Sequence, residues 1–185
     1  MARLVQRLGL TRYEADEHYK KALMILKNVE KKNSTQTIDD AILEITYAIE
    51  LLPTNAEYYA ARGYFYLLDS MVREAKADFE QAQKIYPHEM LANYGLGVLA
   101  YRERDWDRAL EHFQNAYYAK PERPETLYYL ALTYHRKQQN AQASALMNQA
   151  EALFEQASNN KQKRHATSWI KEFDKLAQKQ LPDQT

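Results

Sequence analysis

AEYYAARGYFYLLDSMVREAKADFEQAQKIYPHE (residues 56–89) and MLANYGLGVLAYRERDWDRALEHFQNAYYAKPER (residues 90–123) decide the fold, because they are one pattern written twice. Gly63, Ala75, Phe79, Ala82 and Pro87 recur as Gly97, Ala109, Phe113, Ala116 and Pro121, each displaced by the same interval, the length of one such stretch. Five matches in one register mark a tandem array of supersecondary units. The same ruler finds Ala41, Ile45, Ala48 and Pro53 upstream, and Ala131, Tyr134, Ala143, Met147 and Ala150 downstream.

Within each unit the apolar spacing is helical and the breaks are short. It predicts helices over 56–68 and 72–85, 91–102 and 106–118, 125–137 and 141–155, with Pro87 and Pro121 as stop signals that lack the donor needed to continue a helix. Upstream, Thr11 with Glu14 has the spacing of a capping box, predicting a first helix from there to about Lys31. Thr37 with Asp40 predicts the start of a second helix that runs to Leu52. Downstream, a polar stretch over 158–163 reads as a loop, and Ile170, Phe173, Leu176 and Ala177 predict an amphipathic helix over 167–180.

Gly63 and Gly97 fall inside predicted helices, where glycine costs about 1 kcal/mol against alanine, so close approach of backbones must offset the loss. Ala75, Ala109 and Ala143 supply the matching small residues, and Phe79, Phe113 and Met147 fill the space between successive units. These positions read as scaffold rather than cofactor ligands. The interval from Ala22 to Ala41 is longer than the equivalent one from Gly63 to Ala75, so the first repeat carries about seven extra positions.

Composition narrows the function classes. The 185 residues hold 4 Gly, 5 Pro and no Cys, which favours an all-α chain and excludes disulfides, thiolate metal sites and a cysteine nucleophile. Net charge is zero but uneven: residues 1–32 carry 8 Lys/Arg against 4 Asp/Glu, and residues 158–185 carry 6 against 3, leaving an acidic centre. No segment has the apolar length of a signal-peptide core or a membrane span, so a cytoplasmic setting is the default expectation. His18, His88, His112, His135 and His165 show no metal-ligand spacing, and no phosphate loop occurs. Asp39 and Asp40 suit a helix amino terminus better than acid catalysis. An enzyme is therefore not expected, nor a metal or cofactor. Nucleic-acid binding through Lys161, Lys163, Arg164 and Trp169 is disfavoured.

The pattern resembles the tetratricopeptide repeat, a helix hairpin with small residues at positions 8, 20 and 27, large ones at 11 and 24, and proline near 32. Residues 56–89 and 90–123 match nearly throughout, and 124–157 departs at Glu155, where proline would stand. The aromatic of position 4 is Tyr59, then Asn93 and Leu127, so that slot has drifted. The resemblance implies a right-handed superhelical solenoid of about four hairpins. Residues 1–11 would form an arm, 12–157 the array (12–55 irregular, then 56–89, 90–123 and 124–157), and 158–185 a capping helix and tail.

In that family the first helix of each pair lines a concave groove. Its groove slots fall here on Tyr19 and Leu23; on Tyr64, Leu67 and Leu68; on Tyr94, Val98, Tyr101 and Arg102; and on Tyr128, Leu132, His135 and Arg136. The clamp with which some members grip a terminal carboxylate would fall on Tyr19, Leu23, Ala61, Leu91 and Gly95, and its charged residues are absent. Arg102, His135 and Arg136 could still pair with an acidic group. A tyrosine-rich groove points to a noncatalytic module that binds a protein, a peptide or an amphipathic helix. Self-association into a homo-oligomeric scaffold is the alternative.

Overall fold

The described residues, 2–31 and 35–179 of a computed structural model, form helices joined by short turns, with no strand among them. In order these are α1 (Ala2–Glu30), α2 (Ile38–Leu51), α3 (Ala56–Leu68), α4 (Val72–Ile85), α5 (Met90–Arg102), α6 (Trp106–Ala119), α7 (Pro124–Arg136), α8 (Asn140–Gln156) and α9 (Asn160–Lys179). The chain divides into two compact units, Met1–Gly95 and Leu96–Thr185.

In the first unit α1 packs on α2, α2 on α3 and α3 on α4. Its core joins Ala22, Ile25 and Leu26 of α1 to Ala41, Ile45 and Ala48 of α2 and to Tyr58, Ala61 and Phe65 of α3. Thr37 caps α2 as expected: its side chain accepts from the Asp40 amide, while the Asp40 carboxylate accepts from the Thr37 amide at 2.7 Å. This satisfies two donors the helix end would leave open. The extra length of the first repeat is shared between two places. Helix α1 continues further past Ala22, to Glu30, than α3 continues past Gly63, to Leu68, and the second helix of the pair starts later after it, at Ile38 against Val72.

Arg62 of α3 ties three helices together. Its guanidinium donates to both carboxylate oxygens of Asp78 on α4, at 2.7 and 2.9 Å, and to Thr46 Oγ1 on α2 at 3.2 Å. The faces of Tyr59 and Tyr66 each lie 5.8 Å from it.

The second unit packs α6 on α7, α7 on α8 and α8 on α9 around Leu127, Ala131, Met147, Ala150, Phe154, Ala166 and Phe173. The last two, fully buried, belong to α9, which thus closes this core.

Two predicted starts are displaced by more than one residue. Thr11 lies inside α1, which begins at Ala2, because the residues preceding it, Val5 and Gly9 apart, are good helix formers that carry the helix on. The helix predicted from Thr167 begins at Asn160 instead, where the Asn159 side chain accepts from the Gln162 amide at 3.3 Å and so caps it. Of the polar stretch 158–163, Ser158 and Asn159 lie in the turn before α9, with Ser158 at φ 56°, and 160–163 form the first turn of that helix.

The hairpin turns repeat more strictly than their sequences. Ser70, Arg104 and Gln138, equivalent positions of successive repeats, take φ of 64°, 62° and 61°. In each turn the amide of the following residue reaches back to the carbonyl five positions earlier: Met71 to Tyr66 at 2.8 Å, Asp105 to Ala100 at 2.9 Å and Gln139 to Tyr134 at 2.9 Å. This is the Schellman helix stop, here built without glycine.

Candidate functional site

The candidate positions sit on α1, α3, α5 and α7, the first helix of each hairpin. Leu67, Tyr94, Val98 and Leu132 are buried, whereas Leu23 and Leu68 are each 40% exposed; Tyr19, Tyr64, Tyr101, Tyr128 and His135 are half-buried, and Arg102 and Arg136 exposed.

In the first unit, α1 and α3 present tyrosines held by carboxylates. Tyr19 donates to Glu57 Oε1 at 2.8 Å and its ring lies 5.1 Å from that of Tyr58, whose hydroxyl donates to Asp16. Burial, then the Glu57 hydrogen bond, then the charges of Glu57 and Glu89 push the Tyr19 phenol up. Burial and the Asp16 hydrogen bond push Tyr58 up to about 12. Both tyrosines therefore stay neutral donors beside an acidic set of Asp16, Glu57 and Glu89.

The second unit carries the opposite sign. Arg136, which ends α7, donates from Nε to Tyr101 Oη at 3.3 Å, and its guanidinium lies 5.8 Å from the centre of the Trp106 ring. Tyr101 meets Trp106 edge-on at 5.1 Å and Tyr129 at 5.8 Å. Neither Trp106 nor Tyr129 is a groove slot in the sequence reading; they join the cluster because α6 starts directly after the turn and because Tyr129 stacks on Phe113 at 5.5 Å.

Helix α9 reaches two of the candidates. Trp169 Nε1 donates to Tyr128 Oη at 3.1 Å, and His135 lies 5.0 Å from the Phe173 ring and 5.7 Å from Trp169. His135 Nδ1 is also 2.8 Å from Asn140 Oδ1. Trp169 further stacks on Phe173 at 5.5 Å, so its indole is occupied within the fold, while Lys163 pairs with Glu155. Among the described residues no group of three or more His, Asp or Glu is arranged to hold a metal ion, and no helix is long and apolar enough to cross a membrane.

No family model matches the chain. Over 73 residues it is 33% identical to the protein SGT1 homolog of Bos taurus, covering 40% of this chain and 22% of the relative. It therefore spans about a fifth of that protein's length. The photosystem I assembly protein Ycf3 of Rippkaea orientalis is 24% identical over 119 residues, 59% of this chain and 68% of the relative. Among solved structures, the APC/C hetero-tetramer Cut9-Hcn1 superposes with a TM-score of 0.66 at 21% identity, covering 82% of this chain and 29% of that one. The first TPR of Spaghetti (RPAP3), bound to an HSP90 peptide, gives 0.57 at 16%, covering 67% and 93%. The Yersinia enterocolitica translocator chaperone SycD, in an alternative dimer, gives 0.57 at 14%, covering 68% and 95%. Helix hairpins recurring at one fixed interval, small residues where they cross and these superpositions lead to one conclusion: the chain has the tetratricopeptide-repeat fold.

Proposed function

We propose that the chain is a noncatalytic interaction module whose first-helix faces bind a peptide or an amphipathic helix of a protein partner. The observation that carries this reading is the set of large apolar and aromatic side chains left at least partly exposed on those faces, Leu23, Tyr64 and Leu68 in the first unit and Tyr101 and Tyr128 in the second. Leucine and tyrosine offer wide contact area, and tyrosine adds a hydroxyl at low entropic cost. Peptide binding by a protein of this fold, the Spaghetti domain, supports the reading. Affinity purification with mass spectrometry, comparing the native chain with Leu23→Gln/Leu68→Gln, tests it. Both leucines are 40% exposed, so the double variant folds and loses the partners that dock on this face; retention of every partner would count against the proposal.

A second reading, self-association, is favoured by the apolar side chains that α1 and α2 expose, Leu10, Tyr13, Met24, Leu43 and Tyr47. The dimer of SycD is a precedent in the fold. Sedimentation that finds only monomer at high concentration would dispose of it.

A further inference from the structure

Arg136 is both held and unpaired, a combination no other arginine of the second unit shows. Arg108 pairs with Asp105 and Arg123 with Glu125, while Arg102, Arg104 and Arg164 extend into solvent. Arg136 instead rests on the Trp106 ring and hydrogen-bonds to Tyr101, with no carboxylate in ion-pair range among the described residues. Its place at the carbonyl end of α7 suits a cation, but that accounts for the charge and not for the aromatic cradle.

The cradle fixes what can bind. With Nε given to Tyr101 and one face against Trp106, the guanidinium plane is oriented and the N–H groups of Nη1 and Nη2 remain open. Two parallel N–H donors on a planar fork match the two oxygens of a carboxylate. Tyr101 Oη accepts from Arg136 and keeps its own proton to give to the same anion. Trp106 beneath the guanidinium and Tyr129 beyond Tyr101 provide surface for a chain that continues past the carboxylate in both directions.

We propose that Arg136 and Tyr101 form a subsite for an Asp or Glu side chain inside an extended peptide that lies over Trp106 and Tyr129. This rests on the reading of the chain as a peptide-binding module and names the chemistry of its partner.

The test uses the full chain and pools of short acetylated, amidated peptides, random except for a central Glu, Gln or Lys. A further Gln pool ends in a free carboxylate, and an oligothymidylate of matching length serves as a competing polyanion. The native chain should prefer the Glu pool over the Gln pool by about fivefold, the scale of a partly exposed ion pair. Arg136→Gln should erase that preference while binding the Gln pool as before, Arg136→Lys should recover part of it, and Arg164→Gln on α9 should leave it intact. Equal binding of Glu and Gln pools by the native chain, a preference that survives Arg136→Gln, a gain confined to the free-carboxylate pool, or tighter binding of the oligothymidylate than of any Glu peptide would each overturn the subsite and leave the module reading standing. Failure of every pool to bind the native chain would overturn both.

Discussion

Phe79 is the residue on which two glycines depend. A Cβ at Gly63 would come within 2.8 Å of its ring, and one at Gly95 within 2.2 Å. Gly63 was readable as a close-approach position because Gly97 repeats it, and Gly97 stands to Phe113 as Gly63 does to Phe79, with a Cβ contact of 2.7 Å. Gly95 was not, because its counterpart one repeat on is Tyr129, which stacks on Phe113 at 5.5 Å. One slot is thus filled in two ways, by making room for the ring and by lying on it, and a ruler that looks for recurring residue types passes over it. Gly95→Ala should destabilise the chain by about 1–3 kcal/mol, and more than Gly63→Ala, in urea unfolding followed by circular dichroism. Asn93 is a similar case. Where the repeat pattern has an aromatic, its buried amide donates to the carbonyls of Pro87 and Glu89 at 3.0 and 2.8 Å and accepts from Gln83 at 2.9 Å, a network invisible as a residue type. A pH dependence also belongs to this scale. Burial of Glu44 opposes its charge, but hydrogen bonds from Lys21 and His18 outweigh that and hold its carboxyl below the ordinary value of 4.5. The unfolded chain binds the proton first as pH falls, so the stabilisation is present above about pH 4.5 and is lost as pH drops through the lowered pKa. Thermal unfolding of the native chain should fall more steeply over that range than that of Glu44→Gln.

The helices themselves were legible because period and caps agree. Helices α3 and α4 begin and end where the apolar spacing and Pro87 place them, and Thr37 caps α2 with Asp40. Starts went astray where a cap signal was false or silent, at Thr11 inside α1 and at Asn159 before α9. The positions of the turns between paired helices were legible too, but their backbone conformation was hidden for another reason. A left-handed residue is usually advertised by glycine, and Ser70, Arg104 and Gln138 hold that conformation through backbone bonds alone. Arg104 is exposed, so Arg104→Gly relieves the backbone strain without removing packing and should stabilise by about 1 kcal/mol in the same urea assay. The Arg62 link among α2, α3 and α4 predicts the reverse. Arg62→Ala strands the buried Asp78 carboxylate and should cost about 3–5 kcal/mol, whereas Arg62→Met with Asp78→Leu should recover most of the loss because no unpaired charge remains. Equal losses in the two variants would contradict this account of the network.

At the scale of the whole molecule, repetition is what made the fold readable and what left the candidate site hard to read. Residues that recur, such as Phe79 and Phe113, build the array, and a ruler of fixed period finds them directly. Residues that could recognise a partner differ from repeat to repeat, and their exposure depends on what their neighbours do. Slots on the first helices therefore divide into buried ones, Tyr94, Val98 and Leu132, a half-buried one, Tyr101, and exposed ones, Leu23, Leu68 and Arg136. Each unit also carries its own electrostatic character, carboxylates with Tyr19 and Tyr58 in the first and an arginine on Trp106 in the second, although net charge over the chain is zero. The measurement that bears most directly on the proposed function is equilibrium binding of a captured partner peptide to the native chain and to Leu23→Gln/Leu68→Gln, with the thermal midpoint of each recorded. Loss of two partly exposed leucine contacts should weaken binding by about tenfold or more while the midpoint stays unchanged; equal affinity in both proteins would contradict docking on the first-helix face.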